Sequence, residues 1–294
     1  MLTGGLDASS ARFLDTAILY PEGCSVPSMK TDRYSHFSFL TQDVPPHIAV
    51  CGGFTSSCLV LQHGHWREGI LDNLPETRRF QAATARLYAG VYILGGRIGW
   101  HDKTTFSSLF LRANSSSWAS GPELPVSMIY GPCAAPISAH SFLVVYEFDV
   151  WEFDTRVAGL TSSAGFKEQS RWPRLSMKRH FPGCAVVNNK LIVAGGQQRL
   201  TSTEIIDLKK RTITKGGDME KPRYFFHLLS IRKVIFAVGG EYYDGSDNYL
   251  ADVEEFVEET GSWRPAESLP GERTQFGAVA VNKDLVCGSE SEYN

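Results

Sequence analysis

The sequence lacks the features that mark several large classes of protein. None of its apolar runs approaches the about eighteen residues that a membrane-spanning helix needs, and its first residues contain neither the basic nor the apolar segment of a secretory signal. The net charge is only −3, with both signs mixed along the chain. Bulk electrostatics therefore predict neither a nucleic acid nor a membrane as partner.

Cysteine is sparse and unpaired in sequence: six residues, with no CxxC motif. Cys51, Cys184 and Cys287 lie inside strand-like apolar runs, where a thiol behaves as a small buried hydrophobe. This pattern predicts reduced cysteines and an intracellular, cytoplasmic protein, with the nucleus not excluded.

Catalytic and metal-binding motifs are also missing. The chain contains no GxSxG, GxxxxGK[ST], HExxH or GxGxxG sequence, so the usual nucleophile, phosphate, zinc and dinucleotide sites are not indicated. His63 and His65 flank a glycine in a predicted turn without a third ligand nearby, which favours a solvated turn over a metal site. We expect no catalytic residue, no metal and no cofactor.

What the sequence does contain is a repeated glycine doublet that closes a short apolar run. The doublets recur about every 45 residues, with one double interval between Gly96 and Gly196 where Tyr146 and Glu147 replace a doublet. A period of this size is typical of repeat architectures. The copies are Gly4-Gly5, Gly52-Gly53, Gly95-Gly96, Gly195-Gly196, Gly239-Gly240 and a degenerate Gly288-Ser289.

Each repeat predicts four short strands. In the clearest unit, two apolar runs flank a turn at Asn188 and Asn189 that suits a hairpin, and an alternating run, residues 203–207, follows the doublet. Turns this short require an antiparallel meander, in which the glycines allow close backbone approach. A tryptophan at a fixed phase is expected to pack between neighbouring sheets. These tryptophans are Trp66, Trp118, Trp172 and Trp263.

These motifs resemble the Kelch family over essentially the whole chain. The apolar-Gly-Gly strand end, the alternating third strand, the tryptophan and the Leu/Met-Pro-x-x-Arg sequence before the next repeat are all similar to Kelch repeats. The resemblance implies a single β-propeller domain spanning residues 1–294, with one four-stranded antiparallel sheet per blade.

Counting half-repeats predicts six blades. Six pairs of third and fourth strands can be counted, and residues 275–288 would complete the blade begun by residues 13–30. Strands from the two ends would then share a sheet and close the ring. Residues 1–5 resemble residues 285–288 and would occupy the same strand position. Two alternatives therefore stay open: the chain is a fragment, or it is a seven-bladed ring cut at both ends.

Arginine recurs just before the first strand of the repeats, a segment we call the lead. In a meander the leads and the loops after the doublets lie on one face, which could hold an acidic peptide through guanidinium groups and interleaved aromatic residues. The alternative is that these arginines connect neighbouring strands. The candidate partner-binding residues are Arg33, Arg79, Arg179, Arg223, Arg273, Tyr130 (at the lead that lacks arginine), Arg97, Trp100, Tyr242 and Tyr243.

The predicted function is a non-enzymatic protein-binding module. The resemblance implies that it is either a substrate receptor of a cullin-type ubiquitin ligase or an actin-linked scaffold, since Kelch domains of ligase adaptors use some arginines at this position to bind acidic segments. The alternative is a propeller enzyme that acts on a sugar, which would need a metal or convergent acids around the central channel. The sequence gives no indication of the partner's identity or of the oligomeric state.

Overall fold

The computed structural model describes residues 1–7, 17–18, 24–75, 82–98, 106–167, 172–198 and 200–287. Within them the chain is a β-propeller of five four-stranded antiparallel sheets, blades 1 to 5 in chain order, together with one three-stranded sheet and one two-stranded hairpin. The inner strands of blades 1 to 5 follow one another around a central cavity.

The strand bounds follow the predicted repeat. The chain starts with β1 (Leu2–Thr3) and β2 (Ala17–Ile18). Blade 1 contains β3 (His36–Leu40), β4 (Ile48–Gly52), β5 (Cys58–Gln62) and β6 (His65–Arg67). Blade 2 contains β7 (Ala83–Leu87), β8 (Gly90–Leu94), β9 (Ser108–Arg112) and β10 (Trp118–Ser120). Blade 3 contains β11 (Cys133–Pro136), β12 (Ser141–Tyr146), β13 (Asp149–Asp154) and β14 (Phe166–Lys167), with a short helix α1 (Thr155–Ala158) before β14.

Blade 4 contains β15 (Gly183–Val187), β16 (Lys190–Ala194), β17 (Thr203–Asp207) and β18 (Thr212–Lys215). Blade 5 contains β19 (His227–Ile231), β20 (Val234–Val238), β23 (Val253–Val257) and β24 (Ser262–Ala266), with the hairpin β21 (Glu241–Tyr243) and β22 (Asp247–Tyr249) inserted after β20. The last elements are β25 (Gly277–Ala278) and the helix α2 (Asp284–Cys287).

The sixth sheet departs from the prediction of six four-stranded blades. It has three described strands, in the order β2-β1-β25, and we call it the terminal sheet. Leu2 pairs with Ala278 and Thr3 with Gly277, so residues 1–5, not 285–288, occupy the disputed strand position. Residues 284–287 are the helix α2 instead. The reason is burial: Leu2 is fully buried among side chains that include Val238 of blade 5.

The hairpin turns form as the sequence predicts. Asn188 and Asn189 adopt positive φ angles of 42° and 62° between β15 and β16, the conformation that asparagine tolerates better than most residues. The second strands β8 and β12 are buried along their whole length. They therefore form the centre of the sheets, as their apolar sequences predict.

The tryptophans lie between blades as predicted. Trp118 of blade 2 packs edge-on against Phe39 of blade 1 at 6.0 Å. Trp172 is buried between blades 3 and 4, and Trp263 of blade 5 donates to Thr203 Oγ1 of blade 4 at 2.9 Å. Trp66 donates to Pro27 O, in the segment before blade 1, at 2.8 Å. One residue type at one phase of the repeat thus connects successive sheets.

The prediction of reduced cysteines is wrong in this structure. All six cysteines form disulfides, Cys24–Cys287, Cys51–Cys58 and Cys133–Cys184. Cys51 and Cys58 are register partners on β4 and β5, and Cys133 and Cys184 lie on the inner strands of blades 3 and 4. Sequence spacing did not reveal these pairs because each depends on the relative position of strands.

Candidate functional site

The leads and the ends of the second strands meet within the blades. Arg179 Nη1 donates to Gly195 O at 2.8 Å and to Ser202 O at 2.9 Å. Arg223 Nη1 donates in the same way to Gly239 O at 2.9 Å. The equivalent contacts to Gly52 O and Gly4 O are made by Arg33, at 3.1 Å, and by Arg273, at 2.7 Å. Leads and glycine doublets therefore lie at the same end of their sheets, as predicted.

The same arginines also join successive sheets through their backbone. Gly196 N donates to Arg223 O at 2.9 Å, Gly240 N to Arg273 O at 2.8 Å, and Gly5 N to Arg33 O at 2.7 Å. Arg33, Arg223 and Arg273 thus each bond their own sheet with the guanidinium and the preceding sheet with the carbonyl. Arg179 contacts the preceding blade through its N–H, which donates to Glu147 O at 3.2 Å.

This contact explains why the doublet is glycine. Gly195 has φ +65°, and a Cβ built on it would lie 2.6 Å from Arg223 O. Gly239 has φ +58°, and its Cβ would lie 2.5 Å from Arg273 O. Any side chain would combine an unfavourable φ with a clash against backbone. The glycines and the lead arginines therefore form one structural unit.

The described lead arginines are buried. Arg33, Arg179, Arg223 and Arg273 have relative exposures of 2%, 0%, 0% and 5%. Because their guanidinium groups already bond carbonyls of this chain, they are not available to a partner in this conformation. The geometry favours the connecting role over the acidic-peptide role. Arg79, the fifth candidate, lies outside the described residues.

Two of these arginines have buried carboxylate partners. Arg179 Nη2 lies 3.0 Å from Glu204 Oε2, and Arg223 Nη2 lies 2.6 Å from Glu254 Oε1. Burial lowers the pKa of both guanidinium groups, and the glutamates oppose that fall. In blade 1 the third-strand position of Glu204 is held by Leu59. Arg33 Nη2 therefore keeps only the bond to serine, Ser57 Oγ at 2.6 Å, which Arg179 also makes to Ser202 Oγ. Burial lowers the pKa of Arg33 to about 10, opposed by Glu68.

Blade 3 has neither the arginine nor the doublet. Gly96 N donates to Met128 O at 2.9 Å, so Met128, and not Tyr130, occupies the arginine position of this lead. Tyr130 lies two residues later, 42% exposed, and stacks on His180 at 4.7 Å. His180 Nε2 lies 3.3 Å from Glu147 Oε1, which also accepts from Lys178 Nζ at 2.8 Å.

The remaining predicted residues are divided between the surface and the undescribed part of the chain. Tyr243 is 57% exposed on the hairpin β21–β22, and Tyr242 beside it is half-buried. Arg97 is half-buried directly after its doublet. Trp100 lies outside the described residues.

Sequence reasoning missed an aromatic cluster at the entrance of the central cavity. Phe181 and Phe225 pack at 4.3 Å with φ angles of 55° and 52°, a conformation that is rare for bulky side chains. Tyr130, His180 and Tyr224 extend the cluster on either side. We call these five residues the aromatic arc. The signal was present in the two leads that read Arg-aromatic-Phe, residues 179–181 and 223–225.

The central cavity has a volume of about 230 Å³ and is surrounded by the inner strands. Ser35, His36, His227 and Gln275 contribute polar groups to its lining. Burial, followed by the charges of Arg33, His227 and Arg273, lowers the pKa of His36 to about 3, and burial also lowers the pKa of His227. Both imidazoles are therefore neutral at physiological pH.

One buried carboxylate lies near this entrance. Burial raises the pKa of Glu241, and the neighbouring side chains of Thr274, Tyr224 and Gln275 oppose that rise. Among the described residues, no group of three or more His, Cys, Asp or Glu side chains is placed to hold a metal ion. None of the helices in the described ranges is long and apolar enough to span a membrane.

Comparison with known proteins identifies the fold. No family model and no curated protein matches the sequence. A solved structure titled "Structure of YjhT" superposes with a TM-score of 0.72, covering 88% of this chain and 90% of that chain at 11% sequence identity. The chain is thus similar in fold to YjhT. At this identity the similarity concerns the fold alone.

Proposed function

We propose that this chain is a Kelch-type propeller whose lead face binds another protein. The observation that carries the proposal is the exposed aromatic surface on that face. Tyr130 is stacked on His180, and Tyr243 projects from the hairpin of blade 5. Tyrosines held rigidly by neighbouring rings supply contact area at low entropic cost, which is why they dominate binding hot spots.

The arginines enter this proposal in a supporting role. Because the guanidinium groups are bonded to Gly195, Gly239 and their counterparts, they hold the face in shape and do not reach a partner. The acidic peptide predicted from the sequence as the partner therefore loses its main support. Aromatic contacts and the Lys178–Glu147 pair supply the recognition instead.

Membership in the Kelch family and closure of the ring belong to the same proposal. The family is supported by the doublets, the tryptophans and the lead arginines acting together. The terminal sheet packs on blade 5 through Leu2 and on blade 1 through Met1, which supports a role as the sixth blade. A place in a ubiquitin ligase or on actin stays a prediction.

The predicted cytoplasmic location also stays a prediction, and one observation opposes it. Disulfides are rare in reducing compartments, whereas all six cysteines here are paired. Counting free thiols in the protein from its native source would decide between the two environments.

The test of the protein-binding proposal compares two exposed tyrosines at opposite ends of the sheets. Tyr130 lies on the lead face, and Tyr88, 78% exposed, lies in the β7–β8 turn at the other end. We expect Tyr130→Ser to abolish co-purification of the native partner and Tyr88→Ser to preserve it. Equal capture by both variants would contradict the proposal.

The alternative of a sugar-directed enzyme has one observation in its favour. A buried glutamate with a raised pKa beside a tyrosine, as at Glu241 and Tyr224, is the kind of group that active sites contain. An enzyme that moves protons on a sugar would need at least one further ionisable group in the site besides Glu241. Assaying glycoside cleavage and epimerisation with the wild type and with Glu241→Gln would test it.

A further inference from the structure

One exposed turn of blade 2 contains the acceptor motif for N-linked glycosylation. Asn114-Ser115-Ser116 fits the pattern Asn-x-Ser/Thr, in which the middle residue is not proline, and no other segment of the sequence fits it. The motif lies between the end of β9 at Arg112 and the start of β10 at Trp118. Because so short a motif also arises by chance, its surroundings in the fold decide whether it can act as an acceptor.

The backbone of this turn is held by neighbouring segments. Ala113 N donates to Ala89 O at 2.8 Å, and Asp72 N donates to Ser116 O at 2.9 Å. Asn114 has a φ of 59°, the left-handed conformation that asparagine adopts more readily than most residues. The turn therefore presents Asn114 on an ordered backbone at the surface.

The side chains of the turn are of two kinds. Ser115 Oγ donates to Ser117 O at 3.3 Å, and Ser117 Oγ donates to Asp72 Oδ2 at 2.6 Å. The side chains of Asn114 and Ser116 are exposed and make no hydrogen bond to any residue that the structure describes. These are the two side chains that the motif requires, the asparagine amide and the hydroxyl two residues later. The fold thus leaves the acceptor groups accessible.

The cysteines give an independent indication of the environment. Asparagine-linked glycans are found on secreted proteins, and such proteins form their disulfides in an oxidising lumen. All six cysteines of this chain are paired. The motif and the disulfides therefore indicate the same compartment through unrelated chemistry.

The turn lies at the end of the sheets opposite the leads. Ala113 bonds the β7–β8 turn, where Tyr88 is 78% exposed. Asn114 also borders a surface cavity of about 210 Å³ together with Asp43, and the next residue, Val44, is 97% exposed. Tyr88 and Val44 are the two most exposed large hydrophobic residues in the described ranges. A group attached to Asn114 would project from the same end as both of them, away from the lead face.

We propose that Asn114 carries an N-linked oligosaccharide. In the reaction, Asn114 Nδ2 forms a bond to the anomeric carbon of an N-acetylglucosamine and loses one proton. The bond from that carbon to a lipid pyrophosphate breaks, and the pyrophosphate leaves. The donor is thus a lipid-linked oligosaccharide, and the transfer needs no oxidant or reductant. Being bulky and polar, the glycan shields the hydrophobic surface around Val44 and Tyr88. The proposal does not depend on the protein-binding function, but it is incompatible with the predicted cytoplasmic location.

The test uses the protein purified from its native source. Reduction and trypsin digestion release residues 113–156 as one peptide, which contains a single asparagine, Asn114. We expect mass spectrometry to detect this peptide with the added mass of N-acetylhexosamine and hexose units. Fragmentation by electron transfer should place the sugar on Asn114.

Matched variants expressed in the same source separate the motif from the turn. Ser116→Ala removes the required hydroxyl but keeps Asn114, and we expect it to lose the sugar completely. Ser115→Ala changes the neighbouring serine within the motif, and Ser116→Thr keeps the hydroxyl, so both should remain glycosylated. If Ser116→Ala does not accumulate, the wild-type peptide alone decides.

Three results would overturn the proposal. The wild-type peptide could be found without sugar, the sugar could be located on a serine of the turn, or Ser116→Ala could retain it on Asn114.

Discussion

Blades 3 and 4 are neighbours, yet they hold their leads in different ways. In blade 4, Arg179 bonds two carbonyls at the end of β16 and the start of β17 and pairs with Glu204. In blade 3, Met128 takes the arginine position, and Tyr146 at the end of β12 reaches back toward its own lead. Burial raises the pKa of Tyr146, and the backbone groups of residues 129 and 130 near its hydroxyl oppose that rise.

The difference teaches that arginine and glycine are retained or lost together. The glycine conformation brings two carbonyls within reach of one guanidinium, so a lead without arginine gains nothing from the doublet. In blade 3, Glu147 takes the left-handed conformation instead, with φ +55°, and its side chain joins Lys178 and His180. The exposed Tyr130 is at this same junction, so the loss of the doublet accompanies the Tyr130–His180 stack on the lead face.

The largest expected effect comes from the packing between these two blades. Trp172 is 6% exposed, donates to Glu152 Oε2 at 3.2 Å and lies under the guanidinium of Arg211. Trp172→Ala should lower the free energy of unfolding by about 3–5 kcal/mol, as large-to-small core substitutions do. Urea denaturation measures it. A loss below about 1 kcal/mol would mean that the junction depends on other contacts.

The second prediction separates two costs of placing a side chain in the doublet: the left-handed φ angle and the clash with neighbouring backbone. Gly64 has φ +70° and open space within 4 Å of where a Cβ would lie, whereas Gly195 has φ +65° and its Cβ would lie 2.6 Å from Arg223 O. Gly64→Ala should cost about 1–2 kcal/mol from the left-handed conformation alone. Gly195→Ala should cost about 1–3 kcal/mol more, because of the clash. Equal losses of unfolding free energy in urea denaturation would mean that the close approach to Arg223 O does not explain the glycine.

The third prediction uses pH to compare the inner strands. His36 in blade 1 corresponds to Pro182 in blade 4, which cannot titrate. Because the pKa of His36 falls from 6.5 to about 3 on folding, only the unfolded chain takes up its proton between these values. Its contribution to stability is complete above pH 6.5 and is lost as the pH falls, by about 1.4 kcal/mol per pH unit.

This slope can be measured by urea denaturation across the acidic range. The neighbouring charges of Arg33, Arg273 and His227 act on His36 in the same measurement. His36→Phe should therefore reduce the slope without abolishing it, since the pKa of His227 is lowered too. An unchanged slope in this variant would mean that His36 is not held neutral.

The smallest expected effect belongs to the lead face itself. Tyr130→Ala removes an exposed ring, so the free energy of unfolding should change by less than about 0.5 kcal/mol. Thermal denaturation of the variant beside the wild type measures it. A large loss would show that the Tyr130–His180 stack stabilises the fold and would weaken its proposed role in partner binding.

Much of the fold could be predicted from the sequence because the repeat signals are local. The doublets, the asparagine turn and the tryptophans each depend on a few consecutive residues, and the structure places them as expected. The blade count at the ends could not be predicted, because residues 1–5 and 285–288 read alike and only the packing of Leu2 distinguishes them. The disulfides likewise depend on which strands become neighbours.

The candidate site was harder to predict for a physical reason. An arginine that repeats at one phase is expected both of a binding surface and of a structural connection, and only burial separates the two. Glu204 and Glu254 indicate part of the arrangement, since a carboxylate on the buried side of the third strand needs a buried cation. The alternating pattern of that strand concealed them as solvent-facing residues.

The most direct test of the account concerns Arg179. Urea denaturation of Arg179→Met and of the double variant Arg179→Met/Glu204→Leu measures whether the lead arginine stabilises the propeller. We predict that the single variant loses about 3–5 kcal/mol, because Glu204 is left buried without its partner, and that the double variant recovers part of this loss. If Arg179→Met were as stable as the wild type but no longer bound the partner, the structural role of Arg179 would be contradicted. Arg179 would then belong to the binding surface.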